Sequence, residues 1–420
     1  MQNRRNIVKS LLASFGATAL TSIPAVAQSV GNWNQGGRQS SNYASTKTEV
    51  IKDFGVSPMI TPNSVRNIQN AIARYEIIVA RGGWPHLPAS RILVRGTKKK
   101  IVRTLKQRLA AEGYIPVDYP KLASKKFDRV TEIALVKFQK AMGLHAFGRL
   151  DKDTRKALNV PAKQRLATLR ANLPRVKVAV KKLSDRYIIV NIPATQLDAV
   201  EFGVLYSRHN VIAGLASRPS PILQSRVSEL NFNPYWNAPV SIVRRDILPK
   251  MQKGLAILKQ LNIKIFDGYG GPEVDPKTVD WSKADPKRYH FRQQPGKGNA
   301  MASVKINFAN KYAVYMHDTP TKQLFTSGQR YFSSGCVRID KVHLLTSWLL
   351  KNQEDWNRDK INGVVKSGER LDVKVKNSTQ VRFVYLTGWA TDDGIVHFRK
   401  DIYKLDGTGF VTGQPRALPS

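Results

Sequence analysis

The chain has 420 residues, 68 Lys and Arg against 30 Asp and Glu, a formal net charge of +38 and a single cysteine. That length allows two or three domains, each able to bury a core, and 42% hydrophobic with 9% aromatic residues exclude a mainly disordered chain. The lone cysteine excludes an internal disulfide framework and every multi-cysteine zinc or iron–sulfur site, while the charge leaves nucleic acid, a membrane surface or an anionic wall polymer as partners.

At the N-terminus, Arg4, Arg5 and Lys9 precede an apolar, small-residue stretch from Leu11 to Val26 that closes in Ala25-Val26-Ala27, a small-x-small cleavage signal. The stretch is short for a bilayer span. Residues 1–27 therefore read as a cleaved signal peptide, with an uncleaved anchor as the alternative; only in that second case is a membrane a partner. Cleavage leaves a charge of +35. Export to the periplasm or cell envelope argues against a nucleic-acid partner, and no base-reading or stacking motif supports one. Residues 28–55, rich in Ser, Asn, Gln and Gly, read as a flexible linker. From Thr61 the three- and four-residue spacing of Val65, Ile68, Ile72, Tyr75, Ile77 and Ile78 predicts a helix, stopped by Arg81-Gly82-Gly83-Trp84-Pro85. Residues 56–94 form a helical scaffold segment in this reading.

Residues 95–160 have the pattern of a small three-helix module. Ile101, Leu105 and Leu109 make one stripe; Ile133, Leu135, Val136, Phe138 and Met142 make another, ended by Gly143. Asp151-Lys152-Asp153-Thr154 opens the third helix. Charge concentrates here: residues 91–190 hold 26 Lys and Arg against 7 Asp and Glu, a net of +19. A helical connector is expected over 161–185. From Arg186 the period shifts toward two, with strand patterns at Tyr187–Ile192, Val304–Phe308 and Tyr312–Met316. Between them, residues 234–300 hold many Pro, Gly, Trp and Asp residues, a long excursion that reads as a lid or substrate loop. Gly268-Tyr269-Gly270-Gly271 lies inside it and, with no Gly-Lys-Ser/Thr following, reads as a turn rather than a phosphate cradle.

The chemistry centres on Phe332-Ser333-Ser334-Gly335-Cys336-Val337-Arg338. A lone cysteine is more often a small buried hydrophobe, but Gly and Ser neighbours suit a tight turn rather than a core strand. Asp340 is placed to cap a helix carrying Leu344, Leu345, Trp348 and Leu349, and a thiol just before a helix N-terminus, near Arg338, is expected to have a lowered pKa. His317 stands 19 residues upstream at the end of the Tyr312–Met316 pattern, where alternation puts Ala313, Tyr315 and His317 on one face. His343 falls in the helix after Cys336 and reads as a surface residue. No His-x3-His or His-Glu-x2-His spacing occurs, so neither a metal site nor a cofactor is expected.

The order His, short spacer, Ser-x-Gly-Cys-Val-Arg resembles the L,D-transpeptidase family with its YkuD-type catalytic domain. The run Phe138 to Leu144 with Gly148, Leu150-Asp151, Thr154 and Ala157-Leu158-Asn159 resembles the peptidoglycan-binding domain of cell-wall enzymes. Asn233-Pro234-Tyr235-Trp236-Asn237-Ala238-Pro239, Gln294-Pro295-Gly296, His317-Asp318-Thr319-Pro320 and Asp401-Ile402-Tyr403 resemble long-form members that join both modules through a helical scaffold. Ser334 stands where shorter members carry His. The resemblance implies a multidomain α+β chain with a mainly β catalytic domain over 186–375, a lid insertion and a C-terminal extension over 376–420.

It further implies Cys336 as nucleophile and His317 as general base. Gly335 and Cys336 N–H groups become oxyanion-hole candidates, and Arg338 a holder of a substrate carboxylate or a structural ion pair. Tyr315 and Ser333 would line the site, and Asp318 would orient His317 through its backbone carbonyl or its side chain. The implied partner is peptidoglycan, stem peptides and glycan, with envelope proteins as further acyl acceptors. The charge then reads as an adhesion feature for an anionic envelope. Retention on isolated wall should fall as salt rises to about 0.5 M, where the screening length is only several Å; a co-sedimentation assay indifferent to salt would exclude that role.

Overall fold

The computed structural model describes residues 56–419 and the backbone of Glu49–Val50. The expected signal peptide lies outside the described residues, as does the expected linker apart from Glu49–Val50. Among the described residues no helix is long and apolar enough to cross a membrane.

Five helices come first: α1 (Ser64–Ala80), α2 (Lys100–Ala111), α3 (Arg129–Met142), α4 (Lys152–Leu158) and α5 (Ala162–Val180). Their ends follow the local chemistry. The Asp128 carboxylate accepts from the Thr131 N–H at the start of α3, and Asp151 does the same for Thr154 N–H at α4. Gly143 ends α3 at φ +69°, a left-handed conformation that glycine adopts without strain. Gln139, fully buried, donates to the Arg149 carbonyl and Thr154 Oγ1 and accepts from Gly148 N–H, tying α3 to α4. Two residues of the expected stripes face outward instead: Ile77 on α1 is 53% exposed and Ile133 on α3 is 46% exposed.

The strands are β1 (Glu49–Val50), β2 (Arg186–Asn191), β3 (Gln196–Glu201), β4 (Val204–Gly214), β5 (Leu223–Phe232), β6 (Trp236–Asn237), β7 (Ile263–Asp267) and β8 (Tyr289–Gln293). They continue as β9 (Val304–Phe308), β10 (Met316–His317), β11 (Tyr331–Ser333), β12 (Val337–Ile339), β13 (Leu371–Lys374), β14 (Gln380–Val384), β15 (Gly388–Ala390) and β16 (Val396–Phe398). The main sheet runs β1-β4-β12-β10-β9-β5-β14-β2-β3, and a further β3–β4 pairing closes the path on itself. Strand alternation divides the core. Ile188 and Val190 of β2 point into the closed sheet with Leu230, Val304, Ile306, Met316 and the helix Val342–Leu350. Tyr187 and Ile189, from the same strand, pack outward against the scaffold helices and the three-helix module.

Three expectations change. The segment 376–420 is not an appendage. β14 lies inside the sheet, antiparallel to β5 and parallel to β2, because Val381 and Phe383 alternate into the core. The excursion 234–300 is not a loop: β6, β8 and β7 form a separate sheet over its own core of Val243, Ile247, Leu258, Ile265, Trp281 and Phe291. The expected strand Tyr312–Met316 shrinks to Met316–His317, because Ala313 sits at φ +52° and breaks the extended backbone. A chain ending at Val375 should therefore lose the cooperative melt of the β domain by circular dichroism; an unchanged transition would show β14 to be dispensable.

Candidate active site

The site begins with strand pairing. β10 runs parallel to β12, with Met316 opposite Val337 and His317 opposite Arg338. Cys336 precedes β12 by one residue, and Val337 N–H donates to the Tyr315 carbonyl at 3.1 Å. Cys336, just ahead of β12, and His317 on β10 thus line one cavity of about 350 Å³ with Tyr315, Trp236, Thr321 and Arg338.

The turn carrying the thiol is pinned from three directions. Ser333 Oγ donates to the Cys336 carbonyl at 2.5 Å and accepts from Gly335 N–H at 3.2 Å. Ser220 Oγ donates to the Gly335 carbonyl at 2.8 Å. Ser334 Oγ accepts from Arg218 at 3.0 Å, and Arg218 also holds Asp246 of the insertion at 2.9 Å. Gly335 stands at φ +113°, and a Cβ there would meet nothing closer than 3.5 Å; the backbone conformation, not space, demands glycine. Ser220 is itself placed by Tyr403, whose hydroxyl accepts from Ser220 N–H and donates to the Gly214 carbonyl. The sequence reading singled out neither Ser220 nor Arg218. Their bonds to the turn span more than a hundred residues, beyond the reach of local spacing.

Electrostatics differ from the expected arrangement. Asp340 does not cap a helix: Lys341 occupies that position, at φ +48° and without a side-chain cap, and Cys336 leads into a strand. The helix that follows begins only at Val342, beyond β12, and burial pushes the Cys336 pKa up. Tyr315 opposes that rise by donating its backbone N–H and its phenol to the sulfur, and the charges of Lys305 and Arg338 oppose it as well. His317 is 4% exposed. Burial, reinforced by Arg338, lowers its pKa to about 3. Its Nδ1 donates to the Asp318 carbonyl at 2.5 Å, so the contact of Asp318 with the ring is made by its backbone and not by its carboxylate. The imidazole is therefore neutral with Nε2 as its basic nitrogen. The Asp318 carboxylate is engaged elsewhere, accepting from Ser303 Oγ at 2.5 Å and pairing with Lys322.

Other expected residues fall as follows. Tyr315 packs edge-on to His317 with ring centroids 5.6 Å apart. Arg338 lines the cavity and donates to Thr321 Oγ1 at 3.2 Å. Gly335 N–H is turned to Ser333 Oγ, leaving Cys336 N–H as the candidate oxyanion donor. His343 is not a surface residue: it is half-buried and shares a 2.8 Å hydrogen bond with Ser303 behind Asp318. Among the described residues no three His, Cys, Asp or Glu side chains gather as a metal-holding group.

Comparison with known proteins points the same way. Residues 185–356 match the YkuD family, described as an L,D-transpeptidase catalytic domain, and residues 98–158 match a "Putative peptidoglycan binding domain". A curated protein of Haemophilus influenzae, named "Putative L,D-transpeptidase", is 36% identical over 220 residues, covering 52% of this chain and 44% of that protein. The match thus spans under half of that relative's length. The L,D-transpeptidase structure from Xylanimonas cellulosilytica (17% identity, 70% of this chain and 98% of that one) overlays with a TM-score of 0.22. The one from Stackebrandtia nassauensis (14% identity, 71% and 96%) gives 0.25. The mixed α+β fold rests on the two domain matches and the sheet itself.

With a neutral His317 and a raised thiol pKa, the resting pair is uncharged. Alkylation of Cys336 by iodoacetamide should keep rising through pH 9, and the acid limb of turnover should not fall at the ordinary histidine value near 6.5. A pH-independent alkylation rate between pH 5 and 8 would instead reveal a resting thiolate–imidazolium pair.

Proposed function

Because the chain carries an L,D-transpeptidase catalytic domain joined to a peptidoglycan-binding domain, we propose that it cross-links peptidoglycan stems by a two-step acyl transfer through Cys336. The observation that supports this most is the His317 tautomer: the Asp318 carbonyl holds the Nδ1 proton, so Nε2 is the free base in the cavity that Cys336 lines.

In the first step His317 takes the thiol proton and Cys336 Sγ attacks the carbonyl at the L-configured centre of residue three of a donor tetrapeptide. The tetrahedral oxyanion forms against Cys336 N–H. The C–N bond to the terminal D-alanine breaks, His317 protonates the leaving amine, and a thioester remains. An amine from a second stem's third residue then attacks, passes its proton to His317 and releases the thiol, leaving a 3→3 cross-link. Water as acceptor gives an L,D-carboxypeptidase, and a protein amine tethers an envelope protein to the wall. Arg338, half-buried at the cavity wall with its pKa lowered to about 10, stays cationic at neutral pH and suits a substrate carboxylate. The insertion contributes Trp236, Ile242 and Ala300 to the cavity wall, and water excluded by that cover favours aminolysis over hydrolysis. The reading includes export, with residues 1–27 removed as a signal peptide and the protein at work in the periplasm; a mature chain beginning at Gln28 on N-terminal sequencing is expected.

Purified protein incubated with stem tetrapeptides should form cross-linked product, and intact mass should show a carbapenem adduct on Cys336. Cys336→Ala should abolish both, and His317→Gln should lower turnover by about 10³-fold or more. Undiminished product from Cys336→Ala would overturn the mechanism. Wall binding without any adduct would favour a non-catalytic scaffold.

A further inference from the structure

Beside the catalytic cavity the insertion and the main sheet enclose a second cleft, and the strand register leads into it. His317 on β10 pairs with Lys305 on β9. Lys305 pairs with Asn231 on β5, and Asn231 with Asp372 on β13. These four residues form one cross-strand row and face the same side. At about 4.8 Å per strand, Asn231 lies about 10 Å from His317 along that row. Asn307 and Glu229, opposite one another on the same strands, widen the floor. The cleft above it measures about 490 Å³ and adjoins a further space of about 470 Å³ that reaches Tyr315 and Trp236.

The floor is a tied lattice of amides and carboxylates. Asn231 Nδ2 donates to Glu229 at 2.6 Å and to Asp372 at 2.8 Å, and Asn307 Nδ2 donates to Asn231 Oδ1 at 2.5 Å. The walls are aromatic. Tyr235 has the Arg292 and Arg370 guanidiniums 4.5 and 5.6 Å from its ring centroid. On the rim, Tyr269 is 87% exposed and stacks on His290 at 5.0 Å, while His290 is fixed by Asn237 at 2.9 Å. Tyr269 stands on the Gly268–Gly271 turn, with Gly268 at φ +76° and Gly270 at φ +80°, and lines the cleft together with Glu229 and Asn231.

Fixed amides and carboxylates beside an aromatic face suit a ligand with many hydroxyl and acetamido groups on one side and apolar C–H on the other. Lys305, Arg292 and Arg370 line the cleft with Glu229 and Asp372, and so polar a lining disfavours a lipid or an apolar peptide. We propose that this cleft is a glycan subsite that takes the N-acetylated sugars carrying the donor stem, with Tyr269 as its stacking platform. The proposal rests on the transpeptidase reading above: the sugar lies in the cleft while its peptide crosses Lys305 and Tyr315 to Cys336.

The test compares free stem tetrapeptide with the same tetrapeptide attached to its disaccharide, using the full chain. The disaccharide form should have the higher kcat/KM by about tenfold, and Tyr269→Ala should bring that ratio to about one while Tyr269→Phe retains it. Equal kcat/KM for the two substrates in the unaltered protein, or an unchanged ratio in Tyr269→Ala, overturns the subsite. A parallel titration of Cys336→Ala protein with N-acetylglucosamine trimer, read by saturation-transfer NMR, needs no turnover. Contact that persists when Tyr269→Ala is added also overturns it. No reaction with either substrate would sink the transpeptidase reading, and the titration would still decide the cleft.

Discussion

The parallel pairing of two very short strands, Met316–His317 and Val337–Ile339, is the constraint from which the site follows. Two hydrogen-bonded residues on one strand and three on the other could not hold together alone. They persist because β4 and β9 flank them and the sheet closes through β3–β4, so that Met316, Val337 and Ile339 are fully buried. Fixing Met316 and Val337 in the core turns His317 and Cys336 into one cavity. The meeting of His317 and Cys336 is thus a by-product of core packing by their neighbours Met316 and Val337.

The same burial sets the protonation of the pair. Taking both groups out of water favours the neutral thiol and the neutral imidazole, and the nearby Arg338 and Lys305 reinforce this at His317 while favouring thiolate at Cys336. The Asp318 carbonyl then selects the tautomer. Among the described residues no carboxylate is hydrogen-bonded to the imidazole: the Asp318 side chain is turned to Ser303 and Lys322, with His343 behind them. The backbone N–H and phenol of Tyr315 both point their hydrogens at the sulfur and oppose the rise in its pKa.

Distant segments converge on the seven-residue motif. The C-terminal segment reaches it through Tyr403 and Ser220, which fix the Gly335 carbonyl. The insertion reaches it through Asp246 and Arg218, which hold Ser334. Ser334 thereby becomes an anchor between the Gly335-Cys336 turn and its cover. One end of the insertion closes the catalytic cavity and its other face, with Tyr235 and Tyr269, overhangs the polar floor of the sheet.

Local chemistry was legible in the residue order. The Asp128 side of the second module helix apart, Asp151 and Gly143 marked helix ends, and apolar spacing marked α1 to α3; the interactions involved span four residues or fewer. The Gly335-Cys336 turn and His317 stood out for the same reason, since glycine at a positive φ and a histidine at a strand end are properties of the chain itself. The helix-cap role of Asp340, the lowered thiol pKa, the exposed His343 and the end of the catalytic fold at 375 did not survive. Each depends on what lies across the sheet or how much water remains, and non-local pairing and desolvation leave no periodic trace. The sequence by itself singled out Cys336, His317 and the turn that carries the thiol. The tertiary structure alone decided their protonation, their partners and the cleft beside them, because only closure of the sheet removes the water and brings β13, β5, β9 and β10 into one row.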